Sequence, residues 1–143
     1  MKAINSKLQL MIYLTGFLLL NLFSTANAEP IFHEKHYPNG EGPFPVVIAL
    51  HTSGGYKTVR KSVNGFLAAG YAVYTPNFFE RHGISHQNRF ETWTKYREQI
   101  EQELVEIVQV AKLDPKTNPK NVFSVGYSNG GYWASFLAAQ NYV

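Results

Sequence analysis

The stretch that decides the fold is NVFSVGYSNGGYWA, residues 121–134. It opens with an apolar run typical of a buried strand, passes through a glycine-rich turn and continues into residues that favour a helix. Within it, GYSNG fits the G-x-S-x-G pattern of a serine held on a sharp strand-to-helix turn. The pattern predicts that Ser128 is a catalytic nucleophile, and that Gly126 and Gly130 are small because the backbone packs closely there. The alternative is a serine that only caps the helix.

Two similar units precede this stretch. VVIAL, residues 46–50, predicts a strand covered on both faces that ends in the loop HTSGG. YAVYTP, residues 71–76, predicts a second strand, followed by a polar loop over residues 77–89. The helical pattern covers residues 58–69, capped by Thr58 and ended by Gly70, and also residues 91–112 and 132–141. Residues 31–37 suit a short edge strand.

This order of strands and helices predicts an α/β fold with three layers and a parallel sheet. Right-handed crossovers would put successive helices on one face, unless the strand order reverses. Three strands alone would leave the last one with an uncovered edge.

Composition limits the function classes. Of 143 residues, 45% are hydrophobic and 16% charged, which is typical of a globular domain. The chain has no cysteine, so disulfides and a thiol nucleophile are excluded. Two of its 13 basic residues lie in the first 28, which leaves 11 against 10 acidic ones. That balance gives nucleic-acid binding no support. We expect no cofactor and no metal, and the sequence does not indicate an oligomeric state.

The first 28 residues have the pattern of a secretory signal peptide. Lys2 and Lys7 precede an apolar stretch, residues 8–23, and Ala26-Asn27-Ala28 forms a small-x-small site before Glu29. An uncleaved anchor is the alternative, although the stretch is shorter than the roughly 20 apolar residues that span a bilayer. The sequence therefore predicts an exported protein, periplasmic or secreted. Its mature domain would be residues 29–143, without a stable membrane anchor if the signal is cleaved.

Three segments resemble the N-terminal half of an α/β-hydrolase, closest to the dienelactone hydrolase family. They are PFPVVIALHTSGG (43–55), FLAAGYAVYTPNFFERHG (66–83) and NVFSVGYSNGGYWA (121–134). The resemblance implies hydrolysis of a small-molecule ester, lactone or similar acyl bond through an acyl-enzyme on Ser128. It departs from the family pattern at two positions. Serine stands where dienelactone hydrolases proper have cysteine, and Asn77 replaces the usual aspartate.

The resemblance also implies roles for other residues. The backbone N–H groups of Asn129 and Ser53 would form the oxyanion hole, with Thr52 as an alternative to Ser53. Arg81 matches an arginine that binds a substrate carboxylate in some family members. Acyltransferases and peptidases use the same turn, so those activities remain open.

The fold uses its catalytic residues in the order serine, acid, histidine, but residues 129–143 contain no acid and no histidine. The sequence therefore predicts a partial domain, truncated after the helix that follows Ser128 and inactive as it stands. A non-catalytic or binding-only product and a small membrane-tethered protein are the alternatives.

Upstream histidines could replace the missing base. We interpret His51 as structural and His82 and His86 as solvated loop residues, with catalysis by any of them as the less favoured reading. We consider two histidine pairs, His82 with His86 and His33 with His36, as metal ligands. Neither pair has a third ligand at a spacing typical of metal sites.

Overall fold

The computed structural model describes residues 30, 31 and 33–143. The predicted signal peptide, residues 1–28, lies outside this part of the chain. Within the described residues, no helix has both the length and the apolar character needed to cross a membrane.

Four strands form one open sheet in the order β1-β3-β2-β4. They are β1 (His33–His36), β2 (Phe44–Leu50), β3 (Ala72–Pro76) and β4 (Thr117–Gly126). The strands β2, β3 and β4 run parallel, as predicted, and β1 pairs antiparallel with β3 at one edge. The sheet as a whole is therefore mixed, because the short edge strand returns alongside β3.

Three α-helices cover the sheet: α1 (Arg60–Ala68), α2 (Arg97–Leu113) and α3 (Asn129–Ala139). Shorter 3₁₀ turns occupy Tyr56–Thr58, Glu80–His82 and Arg89–Thr92. The predicted glycine at the end of the first helix is confirmed. Gly70 has a φ of 84°, and the amide of Tyr71 donates to the carbonyl of Phe66 at 3.0 Å, which closes the helix end.

The strand order reverses after β3, and this places the helices on both faces. The chain moves from β2 outward to β3 and then back past β2 to β4, so two right-handed crossovers lie on opposite sides of the sheet. Alternate side chains of β2 face the two layers. Val47 and Ala49 pack with Val63 of α1, whereas Ile48 and Leu50 join the larger core formed with α2 and α3. The fold thus has the predicted three layers.

Two helix starts differ from the prediction. Thr58 does not cap α1, because its hydroxyl donates to the Gly55 carbonyl at 2.8 Å and accepts the Thr52 amide at 3.1 Å. The second helix begins at Arg97 rather than at residue 91. Just before it the amide of Tyr96 reaches back five residues to the Glu91 carbonyl, which interrupts the helical ladder.

The last strand and helix are both longer than predicted. Strand β4 begins at Thr117 because this residue pairs with Phe44 of β2. Helix α3 begins at Asn129, since Gly130 and Gly131 belong to its first turn. Among the described strands β4 pairs only with β2, so its outer edge is open, as predicted, and Phe123 on it is half exposed.

Candidate active site

The site lies where the strand order reverses. The loops that leave the carboxyl ends of β2 and β4 run in opposite directions, and open α/β sheets bind ligands in the crevice between such loops. The β2 loop is HTSGG, residues 51–55, and the β4 loop contains Ser128. The two predicted loops are therefore neighbours at one edge of the sheet.

Ser128 occupies the sharp turn that the sequence pattern predicts. Its φ of 54° and ψ of −121° lie in a region that non-glycine residues rarely adopt. The residue is exposed, and its hydroxyl makes no hydrogen bond to a described residue. The Ser128 side chain does not cap α3, so the structure contradicts the alternative in which this serine only caps the helix.

The glycines around Ser128 are small because backbone atoms occupy the space a side chain would need. A Cβ atom built on Gly126 would lie 2.3 Å from the carbonyl carbon of Gly130. One built on Gly130 would lie 2.3 Å from the carbonyl oxygen of Leu50 and 2.7 Å from that of His51. The predicted reason for Gly126 and Gly130 is therefore confirmed. The second contact also shows that α3 starts directly against the end of β2.

Free backbone donors border the turn. The first intrahelical bond of α3 runs from the Tyr132 amide to the Ser128 carbonyl, so the amide of Asn129 has no acceptor within the described chain. In the HTSGG loop the Thr52 amide donates to Thr58 and the Gly54 amide to the Thr52 hydroxyl. The amide of Ser53 makes no such bond. Of the two oxyanion-hole candidates in this loop, Ser53 has an amide without an acceptor among the described residues, whereas the Thr52 amide is bonded to Thr58.

Asn129 is held in place by its side chain. The side chain is fully buried, and its Nδ2 donates to the hydroxyl of Thr92 at 3.1 Å. Thr92, equally buried, donates in turn to the carbonyl of Arg89 at 2.8 Å. The turn that carries the nucleophile candidate is thereby attached to the loop between β3 and α2. No local sequence pattern predicts this contact, because the two residues lie 37 positions apart.

His51 is part of the core beneath the site, in line with the structural interpretation. Its ring is fully buried, stacks on Phe78 with centroids 3.8 Å apart, and hydrogen-bonds through Nδ1 to the Thr52 carbonyl. Burial lowers the pKa of His51 to about 4, and the hydrogen bond to Thr52 acts in the opposite direction with a smaller effect. The imidazole is uncharged at neutral pH, with Nδ1 donating its proton to Thr52.

Arg81 and His82 share one buried carboxylate. Glu103 of α2, 6% exposed, accepts from Arg81 Nη1 at 3.1 Å and contacts His82 Nε2 at 3.0 Å. The His82 ring also stacks on Tyr96. The interpretation of His82 as a solvated loop residue is therefore wrong, since Glu103 and Tyr96 bury it. Sequence reasoning missed Glu103 because it assigned the charged residues of this helix to the exposed side, whereas Glu103 lies among the apolar residues that face the core.

His86 is exposed, as predicted. It helps to line a cleft of about 290 Å³ between the HTSGG loop and the loop after β3. His33 and His36 bond separately, to the Ile31 carbonyl and to Glu34. In the described part of the chain, no cluster of three His, Asp or Glu residues could hold a metal ion.

Parallel central strands between helical layers, with a strained serine at the carboxyl end of a strand, are features of the α/β-hydrolase class. The model of the dienelactone hydrolase family matches residues 35–143. The chain belongs to the dienelactone hydrolase family.

Solved structures share the fold. A protein named m3DLH is 18% identical, with a TM-score of 0.62, over 76% of this chain and 48% of its own. The 2,6-dihydroxy-pseudo-oxynicotine hydrolase is 20% identical, with a TM-score of 0.56, over 76% of this chain and 29% of its own. The chain thus spans less than half the length of these two structures. No curated protein matches it in sequence.

Proposed function

We propose that this protein is a serine hydrolase that cleaves an ester, lactone or similar acyl bond of a small molecule. The observation that supports it most directly is the conformation of Ser128, whose exposed hydroxyl sits on a turn of positive φ beside free amides. A backbone held in this region costs on the order of 1–3 kcal/mol, and such strain clusters at functional sites. A turn that served packing alone would gain nothing from a serine there.

In the proposed reaction Ser128 Oγ attacks the substrate carbonyl carbon, and the carbonyl oxygen becomes an oxyanion. The amides of Asn129 and Ser53 would donate to it, and the N-terminal end of α3 adds a favourable dipole. When the carbonyl re-forms, the bond to the leaving oxygen breaks and the proton from the Ser128 hydroxyl passes to that oxygen, which gives the alcohol. Water then attacks the acyl-enzyme, releases the carboxylic acid and restores the serine. Each oxyanion donor in such sites is worth on the order of 100-fold in rate.

The described residues do not supply a dedicated base. No acid or histidine follows Ser128, His51 is buried and uncharged, and His82 is engaged with Glu103. Lost triad members reduce the rate on the order of 10⁴- to 10⁶-fold. We therefore propose that this 143-residue chain turns over short acyl esters slowly or not at all. A non-catalytic, binding-only role is the second candidate, favoured by this same lack of a base.

A fluorophosphonate probe tests the nucleophile because a single attack by the hydroxyl leaves a stable adduct. Since the described residues supply no dedicated base, we expect the reaction to be slow, and it is followed over a long incubation at high probe concentration. We expect the probe to label Ser128 in preference to the other described serines, because its exposed hydroxyl lies on the strained turn next to the free amide of Asn129. Peptide mass spectrometry would locate the label. Ser128→Ala should abolish it, whereas Ser135→Ala, an exposed serine of the same helix, should keep it.

Labelling spread evenly over the serines, or unchanged in Ser128→Ala, would rule out Ser128 as the nucleophile. Ester turnover that disappears in His82→Ala would instead favour an upstream base. Labelling at Ser128 without any turnover would support the binding-only candidate for this chain.

We also propose that the protein is exported and that residues 1–28 are removed. The support is the pattern of charge, apolar run and small-x-small site in that segment. Mass spectrometry of exported protein should give a mature chain that begins at Glu29. A protein that retains Met1 in the membrane fraction would favour the uncleaved anchor instead.

A further inference from the structure

An aromatic surface runs outward from the nucleophile candidate. Tyr132 lies one helical turn after Ser128 and is 41% exposed. Its ring meets Trp93 edge-on at 5.9 Å, and Trp93 contacts Phe90, also at 5.9 Å. Phe90 is 59% exposed, which is unusual for a phenylalanine. We call Arg89, Phe90, Trp93 and Tyr132 the aryl surface.

This surface is fixed next to the turn. The carbonyl of Arg89 accepts from Thr92, which accepts from the buried side chain of Asn129. Two hydrogen bonds therefore link the segment of Arg89 and Phe90 to the residue that follows Ser128. Tyr132 also joins the aryl surface to the turn, because its amide donates to the Ser128 carbonyl at 3.1 Å.

Arg89 gives the surface a positive charge. Its guanidinium stacks over the Phe90 ring at 4.5 Å, and Nη1 donates to the His86 carbonyl at 2.8 Å. No described carboxylate forms an ion pair with it. A guanidinium has five N–H donors, so several stay free for a planar anion. Arg81, in contrast, already pairs with Glu103.

One further donor has no partner. The indole Nε1 of Trp93 is buried and has no acceptor among the described residues. This atom has almost no exposed area, so Trp93 offers the aryl surface its ring rather than this N–H.

We infer that the aryl surface binds the aromatic part of a carboxylate-bearing substrate, with Arg89 rather than Arg81 as the anion-binding residue. The inference rests on the proposed function for the identity of the site, and it names the substrate class. Exposed aromatic rings favour an aromatic partner through edge and offset contacts. The guanidinium of Arg89 favours a ligand that carries a carboxylate next to its aromatic ring.

Binding can be measured without catalysis. Trp93 and Trp133 are the two tryptophans of the chain, and Trp93 belongs to the aryl surface. Tryptophan fluorescence would be titrated with 3-phenylpropanoate, with its neutral amide 3-phenylpropanamide and with acetate. We expect 3-phenylpropanoate to bind about tenfold more tightly than the amide, because the charge-assisted contact with Arg89 is absent from the amide. Acetate, which lacks the ring, should bind more weakly than either.

Substitution of each arginine in turn would show which guanidinium contacts the carboxylate. In Arg89→Gln the preference for the carboxylate over the amide should fall from about tenfold to near one, while Arg81→Gln should keep it. This ratio is taken within one protein, so it does not depend on equal amounts of folded chain. Trp93→Phe should remove most of the fluorescence change.

A preference lost in Arg81→Gln but kept in Arg89→Gln would overturn the inference, and so would equal affinity of wild type for both ligands. Ser128→Ala should bind 3-phenylpropanoate as wild type does. Arg89-dependent binding without Ser128 labelling would therefore disprove the hydrolase proposal alone. Ser128 labelling without that binding would disprove this inference alone.

Discussion

Gly130→Ala is expected to lower the free energy of unfolding by about 3 kcal/mol or more and to abolish labelling of Ser128. The added Cβ would lie 2.3 Å from the Leu50 carbonyl oxygen and 2.7 Å from that of His51. Both contacts are with backbone at the end of a central strand, so no flexible side chain can move aside. The first turn of α3 must shift, and the amide of Asn129 shifts with it.

Urea denaturation followed by circular dichroism would measure the stability change. Gly65→Ala is the matched control, since Gly65 lies within α1 and nothing comes within 4 Å of its added Cβ. This control should be neutral or more stable by up to about 1 kcal/mol, because alanine favours a helix over glycine. Equal stability of the Gly130→Ala and Gly65→Ala variants would show that α3 does not abut β2 as described.

Glu103→Ala is expected to cost about 3 kcal/mol, the lower end of the range for breaking a buried ion pair. The carboxylate is 6% exposed and is the partner of both Arg81 and His82. Its loss leaves the buried His82 ring without its hydrogen-bond acceptor. The Arg81 side chain is 40% exposed and can turn to water, which keeps the cost from being higher.

Glu106→Ala provides the comparison, because Glu106 is an exposed acid on the same helix. Its loss should change stability by no more than about 0.5 kcal/mol. The same urea titrations apply. If the two variants lost stability to the same small extent, Glu103 would be a surface charge rather than the link between α2 and the loop after β3.

Much of the fold could be predicted because the chain uses strong local signals. The apolar run before HTSGG, the glycine at position 70 and the helical pattern over residues 91–112 each indicate one element, and all three elements occur. Element ends were less predictable. The start of α2 depends on a backbone bond between Tyr96 and Glu91, and the start of β4 on pairing with Phe44, neither of which is a local property.

The site was predictable only where the backbone dictates it. Ser128 and its flanking glycines follow from one short pattern, because close backbone contacts leave few residues that fit. Side-chain partners distant in sequence leave no such pattern. The bond of Asn129 to Thr92, and the use of Glu103 by Arg81 and His82, required the folded chain. The folded chain was also needed to show that the Thr52 amide donates to the Thr58 hydroxyl.

The backbone angles at position 128 suit glycine better than any residue with a side chain. A glycine there would relax the turn and remove the hydroxyl, so the two demands on this position oppose each other. Stability of the turn would favour glycine at position 128, whereas the proposed reaction requires serine. The serine at position 128 therefore gives up stability that a glycine would provide, which is the cost expected of a position that serves the proposed chemistry.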